Sequence, residues 1–287
     1  MRKSESGRVV SWLAAALALA LIFAAFAWAF RIAPSIRVGT AVVSQTLCGG
    51  VFVSGLPADR VYTEEVEANR GLKLLLRHLH YDVDVQNHEV FTNWAGHFAS
   101  VATYTAAYGC QLGDPDSPSA TNTAAAAAAP AYTIIPEDSL APIAPTNPKL
   151  AAALDTAFAE SRPGAHRQVR AIVILRDGKI IAERYAPGIT PETPLLAYSV
   201  SKSVINALVG ILVGQRKLDV NARAPVQAWA ASADPRHVIT LDELMRMTSG
   251  LNLTENDTGL DPVSRMLFRE NDMAHFAESA QLKAAPG

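Results

Sequence analysis

Three spacings of apolar residues succeed one another along the chain, and each predicts a different element. Residues 9–30 are apolar except at Ser11, with Arg2, Lys3 and Arg8 before them and Arg31 behind. A run of that length spans a hydrocarbon core as a helix. Residues 79–85 and 90–94 alternate apolar and polar positions across a polar turn at 86–88, and a third segment follows at 98–104. Period two is the signature of half-buried strands. Two further β-rich runs, 169–175 and 179–185, flank Asp177-Gly178, a pair suited to a two-residue hairpin turn. Residues 199–216 then put Val200, Val204, Ile205, Leu208, Val209, Ile211, Leu212 and Val213 on nearly every face of a helix. Such a helix is predicted to be buried on all sides.

Shifts in composition divide the chain into four parts. Residues 1–33 hold the long apolar run, as a membrane anchor or signal. Residues 40–111 read as a small α+β module with a helix near 58–67. Residues 112–148 read as a linker: they carry Asp-Pro and Ser-Pro pairs, six consecutive alanines at 124–129, and then Pro130, Pro136, Pro142, Pro145 and Pro148. Those prolines forbid a continuous helix through the segment. Residues 149–287 open with a helix to about Glu160 and continue through the Asp177-Gly178 hairpin and the apolar helix. Thr240-Leu241-Asp242-Glu243 there matches a capping box opening a helix that ends at Gly250.

The apolar run changes what the rest of the chain has to be. Ala25-Phe26-Ala27 offers a signal-cleavage triplet, but the apolar residues continue through Trp28 and Phe30, which favours an uncleaved anchor. Basic residues before the run favour an inside N-terminus. The expectation is a single-pass protein of the cytoplasmic membrane with its catalytic domain on the periplasmic or extracellular side. In that compartment Cys48 and Cys110, the only two cysteines, are expected to form a disulfide, two buried free thiols being the alternative. A net charge of −2 supplies no basic field for a phosphate backbone, so nucleic acid is not an expected partner.

The candidate chemistry lies where the apolar helix starts, at Ser199-Val200-Ser201-Lys202. Residues three apart share a helix face, so Ser199 and Lys202 are within reach of each other. A serine hydroxyl attacks a carbonyl only when a neighbouring base takes its proton, and lysine serves as that base only when neutral. Burial and the positive end of the helix both favour the neutral form. The first-turn N–H groups are placed to bind an oxyanion. The plainer alternative is Ser199 as a helix cap and Lys202 as a solvated first-turn residue. Ser201 and Ser203 are rival hydroxyls without the matching relation to Lys202. His78 and His80 would share a strand face, yet no third ligand is spaced to complete a metal site, so neither metal nor cofactor is expected. Asp177 and Glu183 read as solvated turn and strand residues, and Ser249 as part of a helix end. The chain has no G-x-S-x-G elbow of the α/β-hydrolase kind.

Residues 171–251 resemble the β-lactamase-related serine hydrolases, which include class C β-lactamases, D-alanyl-D-alanine carboxypeptidases, related esterases and 6-aminohexanoate-dimer hydrolases. The resemblance rests on Ala182-Glu183-Arg184-Tyr185, Leu196-Ala197-Tyr198-Ser199-Val200-Ser201-Lys202-Ser203, Gly214-Gln215-Arg216-Lys217-Leu218-Asp219, and Ile239-Thr240-Leu241 leading to Met245-Arg246-Met247-Thr248-Ser249-Gly250-Leu251, in that order. The front module, through Cys48-Gly49-Gly50-Val51-Phe52-Val53-Ser54-Gly55 and Tyr108-Gly109-Cys110, is similar to the N-terminal region of an exported subgroup near the aminohexanoate-dimer branch. The resemblance implies an α/β (α+β) fold of the β-lactamase/transpeptidase type. It implies an acyl-enzyme on Ser199 assisted by Lys202, and a small-molecule or peptide substrate with an amide or ester bond. The family's later tyrosine motif and its Lys/His-Thr/Ser-Gly triad are not found in the sequence, so an incomplete catalytic domain is expected. The alternative function is a penicillin-binding-like envelope protein that binds without turnover, either non-catalytic by nature or truncated and inactive, and residues 1–287 by themselves are expected to hydrolyse poorly or not at all.

Overall fold

The computed structural model describes residues 3–28, 32–113, 141–160, 167–256, 259 and 261–287. The apolar run forms α1 (Lys3–Ala27), with Trp12, Leu17, Leu21, Ile22 and Phe23 all exposed along it. A second helix, α2 (Ala33–Cys48), begins seven residues before the expected start of the front module, with Pro34 in its first turn. A π-helical turn, Gly49–Val53, prolongs it. Together Ala33–Val53 is long and apolar enough to cross a membrane, yet 61% of its most apolar window is buried inside the protein. It is therefore a core helix, whereas the described large apolar side chains of α1 from Trp12 onward are exposed.

The front module is a four-stranded antiparallel meander, β1 (Leu79–Asp84), β2 (Glu89–Trp94), β3 (His97–Thr105) and β4 (Gly109–Gly113), in sequence order. Leu79 pairs with Trp94 and Asp84 with Glu89, and a bulge interrupts β2 against β3 between Thr92 and Trp94. The helix α2 lies across one face, bringing Val43, Leu47 and Cys48 against Leu79, Val90 and Ala102. Four buried hydroxyls tie the layers together. Thr40 Oγ1 meets Ser100 Oγ at 2.9 Å, Ser44 Oγ meets Thr92 Oγ1 at 2.8 Å, and Thr92 Oγ1 donates to the Thr40 carbonyl at 2.8 Å. Each hydroxyl thus has a partner, which burial demands. The Cys48–Cys110 disulfide joins the end of α2 to β4. The helix expected over 58–67 is one α turn, α3 (Ala58–Val61), that widens into a π turn, Tyr62–Val66. His78 falls in a 3₁₀ turn before β1 and packs edge-on to Trp94, while His80 lies in the strand. The two therefore do not share a strand face.

Most of the expected linker, residues 114–140, lies outside the described residues. Its end does not hang free: the Glu183 N–H donates to the Ile143 carbonyl at 2.8 Å, and the Ile143 N–H donates to the Glu183 carboxylate at 3.1 Å. The expected helix follows as α4 (Pro148–Phe158), capped by the Asn147 side chain. Next come β5 (Ala171–Arg176) and β6 (Lys179–Tyr185), joined at Asp177 (φ +52°) and Gly178 (φ +74°). Positive φ at both turn residues is the hairpin geometry that an Asp-Gly pair favours.

After a 3₁₀ turn, Tyr198–Val200, comes α5 (Ser201–Gly214). The all-round apolar pattern predicted a buried helix, and this prediction is wrong. Val204 is 59% exposed, Leu208 51% and Ile211 55%. Among the described residues, the substantial neighbour of α5 is the turn that leads into it. Apolar periodicity states what a helix needs to bury, and supplying the partner is a matter of tertiary contacts.

The chain closes with α6 (Leu241–Met245), α7 (Pro262–Arg269) and α8 (Met273–Ser279). The capping box at Thr240 and Glu243 is present, but α6 ends at Met245 and does not reach Gly250. Arg236 holds α8 in place. Its guanidinium donates to the Glu278 and Ala280 carbonyls at 2.7 and 2.9 Å and pairs with Asp234 at 2.7 Å.

Candidate active site

Ser199 stands in the 3₁₀ turn at the head of α5, two residues before its first residue, Ser201. Three residues on, Lys202 has turned back over it, and Lys202 Nζ donates to Ser199 Oγ at 2.9 Å. The two side chains singled out by spacing are thus in hydrogen-bond contact, the geometry a nucleophile and its base require. Ser201 is occupied differently, its hydroxyl donating to the Tyr198 carbonyl. Of these two serines, Ser199 is the one bonded to the lysine.

The setting of the pair differs from the expectation in one respect. A lysine at the head of a buried helix would be desolvated, and in the structure both Ser199 and Lys202 are exposed. Because α5 is uncovered, the lysine shares its exposure.

Ser199 and Lys202 open onto a broad cleft of about 2480 Å³. Tyr198, Leu196, Leu253 and Phe268 line it from the second half of the chain, and Gln45, Thr46 and Glu65 line it from the front module. A second, smaller hollow beside Glu183 and Tyr185 contains no nucleophile. Tyr185 donates to Glu183 at 2.9 Å, and partial burial with that carboxylate beside it pushes the phenol up to about 12. Glu183 is thus a strand anchor, bonded to the Ile143 N–H and the Tyr185 hydroxyl. Among the described residues no group of three His, Cys, Asp or Glu is placed to hold a metal ion.

The front module meets residues 170–196 at several points. Ile189 enters the front module's core with Val43, Leu47 and Val61. Arg60 donates to the Pro187 carbonyl at 2.9 Å, and Arg170 bridges Glu64 and Glu65 at 3.1 and 2.7 Å. Leu196 sits over Gly49, where an added Cβ would lie 2.9 Å from a leucine methyl. Glu65 and Tyr198 escaped the sequence reading as members of the cleft. The residue next to a candidate nucleophile is a signal of sorts, but a glutamate 133 positions away is not.

A serine bonded to a lysine three residues on, at the head of an apolar helix that follows an antiparallel hairpin, is the arrangement the Ser-x-x-Lys spacing predicts. Residues 151–287 match the family model described as Beta-lactamase, which supports a β-lactamase-related serine hydrolase domain in this part of the chain. No curated protein and no solved structure matches the chain.

Proposed function

We propose that the protein is a serine hydrolase of the cell envelope that cleaves amide or ester bonds through an acyl-Ser199 intermediate. The observation that carries this reading is the 2.9 Å hydrogen bond from Lys202 Nζ to Ser199 Oγ inside the β-lactamase-family segment. In the reaction, Ser199 Oγ attacks the substrate carbonyl while its proton passes to neutral Lys202. The tetrahedral oxyanion collapses and expels the amine or alcohol, which takes up the proton. Water then attacks the acyl-serine in the same manner and regenerates the hydroxyl. All of this needs only side chains and water, so no cofactor enters the scheme. The exposed apolar surface of α1 supports a role as membrane anchor, holding the cleft near the bilayer.

The reading is tested by intact-mass spectrometry of the full chain after incubation with a fluorescent penicillin or an activated ester, followed by peptide mapping. The expected result is a single adduct on Ser199 that disappears in Ser199→Ala. An adduct retained by Ser199→Ala sinks the assignment. A folded chain that binds the penicillin without acylation favours a penicillin-binding-like protein that does not turn over.

A further inference from the structure

The residue that aims the nucleophile is held from the other side of the cleft. Tyr198, immediately before Ser199, has φ +42°. A bulky residue adopts such a conformation only where its surroundings impose it, at a cost of roughly 1–3 kcal/mol. Two contacts accompany it here. On the backbone side, Ser201 donates its hydroxyl proton to the Tyr198 carbonyl. On the side-chain side, the Tyr198 hydroxyl reaches across to Glu65 Oε2 at 3.4 Å. The ring is 69% exposed, so little packing fixes it and its polar end is its main tether.

Glu65 is in turn held rigidly. Arg170, just before β5, donates to Glu65 Oε1 at 2.7 Å and reaches Glu64 at 3.1 Å, while Arg60 secures Glu64 at 2.8 Å. Burial raises the Glu65 pKa although Arg170 opposes it, and a tyrosine hydroxyl ordinarily titrates at about 10. The phenol therefore remains a proton donor throughout the neutral range. Glu65, Thr46, Tyr198, Ser199 and Lys202 all line the same cleft.

From this arrangement we infer that Glu65, a residue of the front module, is a positioning residue for Ser199, acting through the Tyr198 hydroxyl; the inference rests on the acyl-serine reading above. The front module then forms part of the catalytic unit, because it fixes the backbone angle at which the nucleophile leaves the turn. A displacement of about 1 Å in such a group costs up to a hundredfold in rate.

The test is a double-mutant cycle in the full chain, measuring the saturating rate and the half-saturating concentration for Ser199 acylation by an activated ester. Glu65→Ala and Tyr198→Phe are each expected to slow the saturating rate about tenfold, with the half-saturating concentration unchanged. Their double variant is expected to be no slower than either single one. Glu65→Gln, which breaks the ion pair with Arg170 but keeps an oxygen for the phenol, is expected to recover most of the rate. Multiplying effects, or Glu65→Gln as slow as Glu65→Ala, would overturn the inference and leave Glu65 as a structural ion-pair residue. Hydrogen exchange of amides 197–203 gives a readout independent of turnover. It should accelerate several-fold in Glu65→Ala and stay at the parent level in Glu65→Gln, and no change in Glu65→Ala overturns the inference by itself. Absence of label on the parent chain, by contrast, would count against the acyl-serine reading, with the exchange data still deciding the role of Glu65.

Discussion

The disulfide allows a quantitative prediction for the front module. It closes a loop of 62 residues between Cys48 and Cys110, and that loop contains α3 and three complete strands, β1 to β3. Chain-entropy arithmetic for a closure of that length gives about 14 cal/mol/K removed from the unfolded ensemble, or about 4 kcal/mol at 25 °C. Reduction should therefore lower the module's opening free energy by that amount while leaving every native contact but the sulfur bridge in place. At 1.4 kcal/mol per decade, the most protected amides of β2 and β3 should exchange about three decades faster. The assay is hydrogen-exchange mass spectrometry of the full chain in detergent, with and without reductant, read on peptides covering Glu89–Trp94 and His97–Thr105. Peptides of α4 to α8 serve as the internal control, since no cysteine lies there. Cys48→Ala with Cys110→Ala should behave like the reduced protein, with a further cost of about 1 kcal/mol for the sulfur volume lost at fully buried Cys48. A change below tenfold in the β2 and β3 peptides would refute the reasoning. It would mean that the unfolded module is already compact, or that these amides exchange through local openings that the bridge does not govern.

Other expectations are as direct. The Arg236 guanidinium, bonded to Asp234, holds its carboxyl well below the usual range, at about 2. A folded value beneath the unfolded one of about 3.9 contributes stability that is fully present above about pH 4 and fades as the pH falls through about 2. Asp234→Asn should thus lower the melting temperature at pH 7 and match the parent near pH 2, and an equal difference at both pH values would contradict this. In Gly50→Ala the new Cβ would stand 2.5 and 2.6 Å from the two methyls of buried Val61, an overpacking worth roughly 1–3 kcal/mol. Thermal unfolding should show that loss, and adding Val61→Ala should reduce it. Lys202→Ala should slow Ser199 labelling by at least about a hundredfold, and Lys202→Arg should fail equally, because a guanidinium does not give up its proton. Labelling of Lys202→Arg at the parent rate would remove lysine from the role of base.

What could be read from the sequence follows from how local each signal is. The Asp177-Gly178 hairpin and the Thr240–Glu243 capping box are decided within four residues, and both are present. The three longer strands of the front module are where their alternation puts them, whereas β4, a Gly-Cys-Gln-Leu-Gly stretch with two glycines, carries no period to detect. The start of α2 was missed for a more instructive reason. Its core face includes Thr40 and Ser44, both fully buried, whose hydroxyls bond to the sheet. A binary pattern scores them as solvent positions, so the helix does not show its buried face. The Ser199–Lys202 contact was legible because i to i+3 geometry is local. The partners of that pair were not, since Glu65 meets Tyr198 only through the way α3 and its π turn dock on the hydrolase segment.

The exposure of α5 bears directly on the chemistry of the dyad. A lysine accepts a serine proton only in its neutral form, and water is the medium in which an ammonium ion is most comfortable. Under the proposed mechanism Lys202 would therefore need more than its contact with Ser199, since it is also exposed to solvent. The missing ingredient is dryness, and the cleft offers a source of it. Leu196, Leu253 and Phe268 line the same space as Ser199, and a substrate seated against them would displace water from around the lysine as it presents its carbonyl. Binding energy from an apolar acyl group would then be spent on activating the base. Discrimination among substrates would accordingly show in the rate of acylation more than in the affinity of the first encounter.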